Sequence, residues 1–333
     1  MTQAAHIIQN KESDVTGFAT AEQTLSRLPQ VKGRYSTNEN LAQSTWFRVG
    51  GPAEVLFKPA DEADLQFFLQ NCPSDIPVMV LGVASNVIIR DGGVEGVVIR
   101  LGREFAGMAV DENDPEILCV GAANLDMNIA LFAQKNAVAG LEFLSGIPGT
   151  IGGALRMNAG CYGKEMCDIL VDATAYDRHG VRHVVTATDM NMQYRHTDAP
   201  SDWIFVSCRV RGQKGDSAAI KTYMDDIKSK REASQPIRER TGGSTFANPG
   251  RDNPELAEKN LGSAWQVVDQ SGCRGLMVGD AQMSEKHANF MINTGQASAS
   301  DLEELGELVR QKAKEKTGIE LRWEIKRIGR KPA

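Results

Sequence analysis

SGIPGTIGGALRMNAGCYG, residues 145–163, carries six glycines in nineteen positions. Successive backbone N–H groups in such turns form concave anion sites, and glycine is needed where a diphosphate comes close to the backbone. An upstream stretch, VLGVASN (80–86), has the same character: an apolar strand, a turn, then Ser-Asn. Neither is the G-x-G-x-x-G fingerprint that opens a βαβ helix, and neither is a G-x-x-x-x-G-K-[ST] loop. The two stretches therefore suggest a nucleotide or diphosphate binder of another design. The competing reading is that the glycines only make turns.

The chain of 333 residues exceeds one ordinary core, which predicts two or three domains. A net charge of −6 argues against a nucleic-acid or anionic-membrane partner. No apolar run is long enough to span a bilayer, and MTQAAHIIQNKESD at the start has no apolar core of a secretory signal. The six cysteines form no C-x-x-C pair, and with five dispersed histidines they show no zinc spacing, so no metal is expected. The cysteines read as small buried hydrophobes in a reducing cytoplasm.

Around the Gly-rich stretch the pattern is α+β with many short strands. Strands are expected at 53–59, 77–82 and 203–211, with a pair within 107–121 and a hairpin over 171–188. NVIIRDGGVEGVVIRLG reads as two β-branched runs around a Gly-Gly turn. Helices are expected over 60–71, 125–138 and 216–234, with a short one near SAWQVVDQSG. Beyond the 216–234 helix a Gly/Pro/Asn-rich stretch leads to a strand at 288–295. The next helix is marked by a capping box of Ser300 and Glu303, an apolar face of Leu302, Leu305, Leu308 and Val309, and a stop at Gly318. A strand with alternating faces is expected over 319–329.

TGGSTFANP, residues 241–249, presents Ser244 from a Gly-Gly bend. A hydrolase elbow, G-x-S-x-G, needs glycine where Phe246 stands, and no parallel βαβ series accompanies it. His287 is the candidate base for an acyl-transfer nucleophile. Three roles stay open from the residues alone: nucleophile, turn or cap hydroxyl, and proton donor.

Seven blocks occur in order: TWFRVGGPAEVLFKP (45–59), LGVASNVIIRDGGVEGVVIRL (81–101), GLEFLSGIPGTIGGALRMNAGCYGKE (140–165), YR (194–195), TGGSTFANP (241–249), GLMVGDAQMSEKHANFMIN (275–293) and LRWEIKRIG (321–329). In these blocks the chain resembles the UDP-N-acetylenolpyruvoylglucosamine reductase family, flavoenzymes of peptidoglycan precursor synthesis. The short path from Arg195 to Trp203 resembles the type II subgroup. The resemblance implies an α+β FAD-binding fold of the vanillyl-alcohol-oxidase type. It also implies dissociable FAD, NADPH as hydride donor, a UDP-sugar substrate, and a cytoplasmic enzyme, with a monomer expected. The implied division is an extension over 1–30, FAD-binding subdomains over 31–100 and 101–230, and a substrate domain over 231–318, with the closing strand (319–333) returning to the first subdomain.

Site residues carry over by position. Ser244 matches the family's proton donor, Arg195 its catalytic arginine and Glu324 its catalytic glutamate. Tyr194, Asn248 and His287 fall where the family contacts substrate. Gly82, Ser85 and Asn86 match the first diphosphate loop, and Gly149, Gly152, Gly153, Asn158, Ala159 and Gly160 the second flavin-contacting segment. Val83, Ala84, Ala247, Asp280 and Arg322 depart from the family pattern; the Cβ atoms at 83 and 84 restrict positive-φ geometry in the first loop. Two other readings stand beside this one: a flavin oxidase or dehydrogenase of a small alcohol or sugar on the same scaffold, and a non-redox protein.

Overall fold

A computed structural model describes residues 18–332. The expected N-terminal extension lies outside the described residues up to position 17; beyond it, Ala21–Ser26 form a short helix.

The fold is α+β, built around three sheets. In the first, Arg34–Asn40, Pro52–Lys58, Val94–Ile99 and Val78–Val80 lie in that spatial order. The first pair is antiparallel and the rest parallel. The helix Glu62–Asn71 starts where the Asp61 side chain accepts from the Asp64 N–H, which satisfies an otherwise orphaned donor. Its Leu65, Phe68 and Leu69 bury against Val55, Phe57, Val97 and Ile99. The strands carry β-branched residues on both faces because both are covered.

The second sheet is antiparallel throughout, ordered Arg182–Val185, Leu170–Tyr176, Ile204–Arg211, Ile117–Gly121 and Met108–Val110. Against it pack the helices Asp126–Lys135 and Ile151–Met157. The Ile151–Met157 helix lies inside the Gly-rich stretch, where only turns were expected. It ends at Asn158, which takes the left-handed conformation at φ 46°, a position asparagine tolerates.

The third sheet orders Arg240–Thr241, Met291–Asn293, Ala281–Met283 and Met277–Val278, backed by the helices Ala264–Gln270 and Ala299–Thr317. The long helix ends at Gly318 (φ 73°), as expected. Its capping box differs from the expected Ser300–Glu303 pair. Ser298 and Asp301 form it, while the Ser300 hydroxyl donates to Asp91 and Glu303 pairs with Arg90 at 2.7 Å. The sequence satisfies the three-residue spacing twice, and tertiary contacts take the second pair.

The two β-branched runs of NVIIRDGGVEGVVIRLG are strands in different sheets: Val94–Ile99 joins the first sheet, whereas Val87–Ile89 pairs in parallel with Lys326–Ile328. Of the strand expected over 319–329, only Lys326–Ile328 is regular; upstream, Trp323 makes a single bridge to Phe246. The cleft described next lies between the loop after Val78–Val80, the Gly-rich stretch and the Ser244 loop.

Candidate active site

The cleft has a volume of about 810 Å³. Gly82, Ser85, Asn86, Gly149, Gly152, Gly153, Ala159, Gly160, Arg195, Ser244 and Glu324 all line it, so it gathers both Gly-rich segments and all three residues expected to carry the chemistry. Six basic residues contribute to its wall (Arg100, Arg156, Arg195, Arg231, Lys326 and Arg327), against two acids, Asp126 and Glu324. Such a surface attracts anions.

The two Gly-rich segments close on each other. A Cβ at Gly82 would stand 2.6 Å from the Thr150 Oγ1, and one at Gly149 would stand 2.9 Å from Asp126 Oδ2, so both contacts require glycine. Ala84 adopts φ 51° despite its Cβ, at a cost of roughly 1–2 kcal/mol relative to a right-handed residue. The loop thus keeps its positive-φ geometry where glycine or serine is usual. Backbone N–H groups and the Ser85 hydroxyl make a donor set suited to a diphosphate, while the Asn86 amide donates to the Glu324 carbonyl at 3.3 Å and ties this loop to the catalytic segment.

Arg195 sits in a tight turn in which Gln193 and His196 exchange backbone hydrogen bonds, with Arg195 itself at φ 55°. Asn158, fully buried, fastens this turn: its amide donates to the Gln193 carbonyl at 2.9 Å. The Arg195 guanidinium donates from Nε to Glu324 Oε1 at 2.8 Å and from Nη2 to the Gly160 carbonyl at 2.7 Å. Burial alone would lower its pKa, but the Glu324 carboxylate raises it above the ordinary arginine value. Burial pushes the Glu324 carboxyl above its usual range, against the opposing pull of Arg195. Tyr194 lies between two guanidinium groups, those of Arg195 and Arg251, each 4.9 Å from its ring centre.

Ser244 is held from both sides. The Thr245 N–H donates to the Asn289 carbonyl at 2.7 Å, and Phe246 exchanges two hydrogen bonds with the Asn289 side chain at 3.0 and 2.8 Å. On the other side, the Glu324 N–H donates to the Thr245 carbonyl at 2.9 Å. The glycine at 242 lets the loop lie against Phe47, whose ring a Cβ would meet at 2.6 Å. Ser244 and Glu324 are therefore set by one short ladder, and their spacing depends on backbone rather than on flexible side chains.

Four expected residues stand outside the cleft lining. Asn158 supports the Arg195 turn, and Tyr194 stacks behind Arg195. The Asn248 side chain accepts from the Ala264 N–H at 3.0 Å, at the start of the Ala264–Gln270 helix. His287 packs edge-on against Phe290 with ring centres 4.7 Å apart, and its pKa is lowered by burial. Phe290, not His287, faces the cleft.

Asp126 went unnoticed in the sequence. It shares the buried face of its helix with Ile129, Ala130 and Ala133. The available signal was an acidic residue in register with an apolar stripe. Asn289 was equally hidden, since only tertiary structure shows that it grips the Ser244 loop.

Comparison with known proteins adds a family to this geometry. Residues 235–328 match the family described as UDP-N-acetylenolpyruvoylglucosamine reductase, C-terminal domain, and residues 53–186 match an FAD binding domain. A UDP-N-acetylenolpyruvoylglucosamine reductase of Rhodospirillum rubrum is 55% identical, over 92% of this chain and 93% of its own. One of Parvibaculum lavamentivorans is 52% identical, over 92% and 94%. The crystal structure of the corresponding reductase from Thermus caldophilus superposes with a TM-score of 0.75 at 30% identity, covering 90% of this chain and all of that one (100%).

Proposed function

The chain belongs to the UDP-N-acetylenolpyruvoylglucosamine reductase family, and from that premise we propose how its own residues carry the reaction: reduction of UDP-N-acetylglucosamine enolpyruvate to UDP-N-acetylmuramate, with FAD as cofactor and NADPH as hydride donor. The observation that carries this reading is the convergence of Ser244, Arg195 and Glu324 on one cationic cleft walled by two Gly-rich loops.

The loop around Gly82, Ser85 and Asn86 and the segment from Gly149 to Gly160 would hold FAD. Bound there, the cofactor would supply hydride chemistry between NADPH and the β-carbon of the enolpyruvyl group. Negative charge then builds on the substrate's α-carbon and carboxylate, where the fixed Arg195 guanidinium stabilises it. Ser244 supplies the proton to the α-carbon, from a loop whose backbone is pinned on both sides. Glu324 holds Arg195 through the 2.8 Å bond, which favours an orienting role over proton relay. Tyr194, Asn248 and His287 support the substrate side, Tyr194 through Arg195 and His287 through Phe290.

The domain division follows the same reading: FAD-binding subdomains over 31–100 and 101–230, with 231–318 as the substrate domain. We also place the enzyme in the cytoplasm as a monomer. All six cysteines are free, and no helix among the described residues is long and apolar enough to cross a membrane. The test is steady-state oxidation of NADPH by the purified protein with the enolpyruvyl UDP-sugar. Turnover and acid-releasable FAD are expected; a protein that neither carries nor takes up FAD overturns the reading.

A further inference from the structure

Asp126 begins the helix Asp126–Lys135 and forms part of the cleft wall, yet it is 0% exposed. Among the described residues neither carboxyl oxygen has a hydrogen-bond partner. The bland account is a helix cap, in which a first-turn carboxylate accepts from free N–H groups. Asp126 does not fit that account, because a cap would leave its oxygens bonded. Its Oδ2 lies instead against Gly149, at the point where the Gly-rich segment meets the loop carrying Ser85: a Cβ at Gly149 would stand 2.9 Å from Oδ2 and 3.8 Å from the Ser85 Oγ.

A buried carboxylate without a cation or donors is strongly disfavoured, so the group takes up a proton. The titratable groups near enough to feel its charge are Cys208, from the strand Ile204–Arg211, and Cys161, from Gly160–Cys161. Both thiols are pushed up by burial, Cys161 to about 11, and neither supplies a positive charge. Burial raises the Asp126 pKa well above 3.8, and the Gly149 N–H, which lies beside the carboxyl without completing a hydrogen bond to it, offsets only part of this. A neutral carboxyl has one O–H donor, and nothing in the protein accepts it.

We propose that Asp126 is a cofactor-binding residue whose carboxyl O–H hydrogen-bonds a diphosphate oxygen of FAD lying between the two Gly-rich loops. The proposal rests on the FAD placement given above. An anion at this position would repel the diphosphate, whereas a neutral acid binds it, and the partnerless oxygens gain a partner on cofactor binding.

The test uses full-length wild type, Asp126→Asn and Asp126→Leu, with FAD and riboflavin binding followed by flavin fluorescence. Asp126→Leu loses the donor and should bind FAD about 10- to 100-fold more weakly at pH 6, the range for a hydrogen bond to a charged group. Its riboflavin affinity should match wild type, because riboflavin has no diphosphate. Asp126→Asn keeps a donor of the same shape, so its FAD affinity should stay within a few-fold of wild type. Between pH 5 and 9 the wild type should weaken as Asp126 ionises, and Asp126→Asn should not. Wild-type FAD affinity in Asp126→Leu, an equal loss for riboflavin, or parallel pH profiles for wild type and Asp126→Asn each overturn the proposal. If Asp126→Leu does not fold, the Asp126→Asn profile alone decides. If wild type itself binds no FAD, the cofactor placement has failed instead.

Discussion

Arg195 and Glu324, 129 residues apart in the chain, meet at 2.8 Å through a single Nε–Oε1 hydrogen bond inside the cleft. The arginine comes from a strained turn and the glutamate from the segment just before the final strand, so neither element alone defines the site.

The pair makes a charge-dependent prediction. Glu324 protonates at a higher pH than an exposed glutamate because burial raises its pKa from 4.5. As pH falls through that raised value, Arg195 loses its charged partner, and kcat/KM should decline on the acid side by up to about 10-fold per pH unit. Glu324→Gln should lower the plateau and remove this acid limb. An unchanged limb in Glu324→Gln would assign it to another group.

Arg195→Lys keeps a cation but loses the planar fork that reaches both Glu324 and the Gly160 carbonyl. Its kcat should fall about 10²-fold or more, and Arg195→Ala should fall further. Steady-state kinetics at saturating NADPH decide this, and wild-type turnover in both variants would reduce Arg195 to a structural role.

Ser244→Ala should separate the two half-reactions. Stopped-flow reduction of the flavin by NADPH should stay close to wild type. Reoxidation by the enolpyruvyl substrate should slow by roughly 10²–10⁴-fold, the range for losing a general acid. Ser244→Cys should recover part of the rate. Equal slowing of both half-reactions would make the hydroxyl a loop-stabilising group.

The loop contact gives a steric prediction. In Gly82→Ala the new methyl meets the Thr150 hydroxyl at 2.6 Å, so the Thr150 side chain or the loop carrying it must shift. Titration with FAD should show weaker binding by about 10-fold or more, and Gly82→Ala/Thr150→Gly should restore part of it. Undiminished affinity in the single variant would place the cofactor elsewhere.

Asp126 also predicts a pH dependence of stability. Its pKa is raised in the folded protein, so between 3.8 and the raised value the folded state holds a proton that the unfolded chain has released. Wild-type stability therefore falls as pH rises through that window. Asp126→Asn has no such slope. In thermal melts of FAD-free protein it should gain on wild type between pH 5 and pH 8, and a constant difference would show that Asp126 does not titrate there.

Much of this was legible from residues. The α+β pattern and most helices followed from periodicity and turn chemistry, while the site residues came from the family resemblance carried by seven blocks in order. Elements set by long-range competition were not. Val87–Ile89 was legible as a β-branched run beside a Gly-Gly turn, but its partner was not. Its actual partner is Lys326–Ile328, which no local pattern reveals. The Ile151–Met157 helix was masked by Gly152 and Gly153, which lower helix propensity while tertiary packing supplies the stability. Asn158 was expected beside the cofactor. Its side chain is spent on the turn that carries Arg195, a role visible only once both segments are folded.

The parallel pairing of Lys326–Ile328 with Val87–Ile89 has a consequence for synthesis. Both Gly-rich loops leave the ribosome long before Glu324 is made. Until then the chain carries Ile88 and Ile89, both fully buried in the finished fold, on an open strand edge. Chains arrested before residue 319 should therefore aggregate more readily than the 333-residue chain in a pelleting assay, and equal solubility would show the edge to be covered by other means. The segment that brings Glu324 into the cleft runs directly into the strand that covers this edge, so assembly of the site and protection of Ile88 and Ile89 come together.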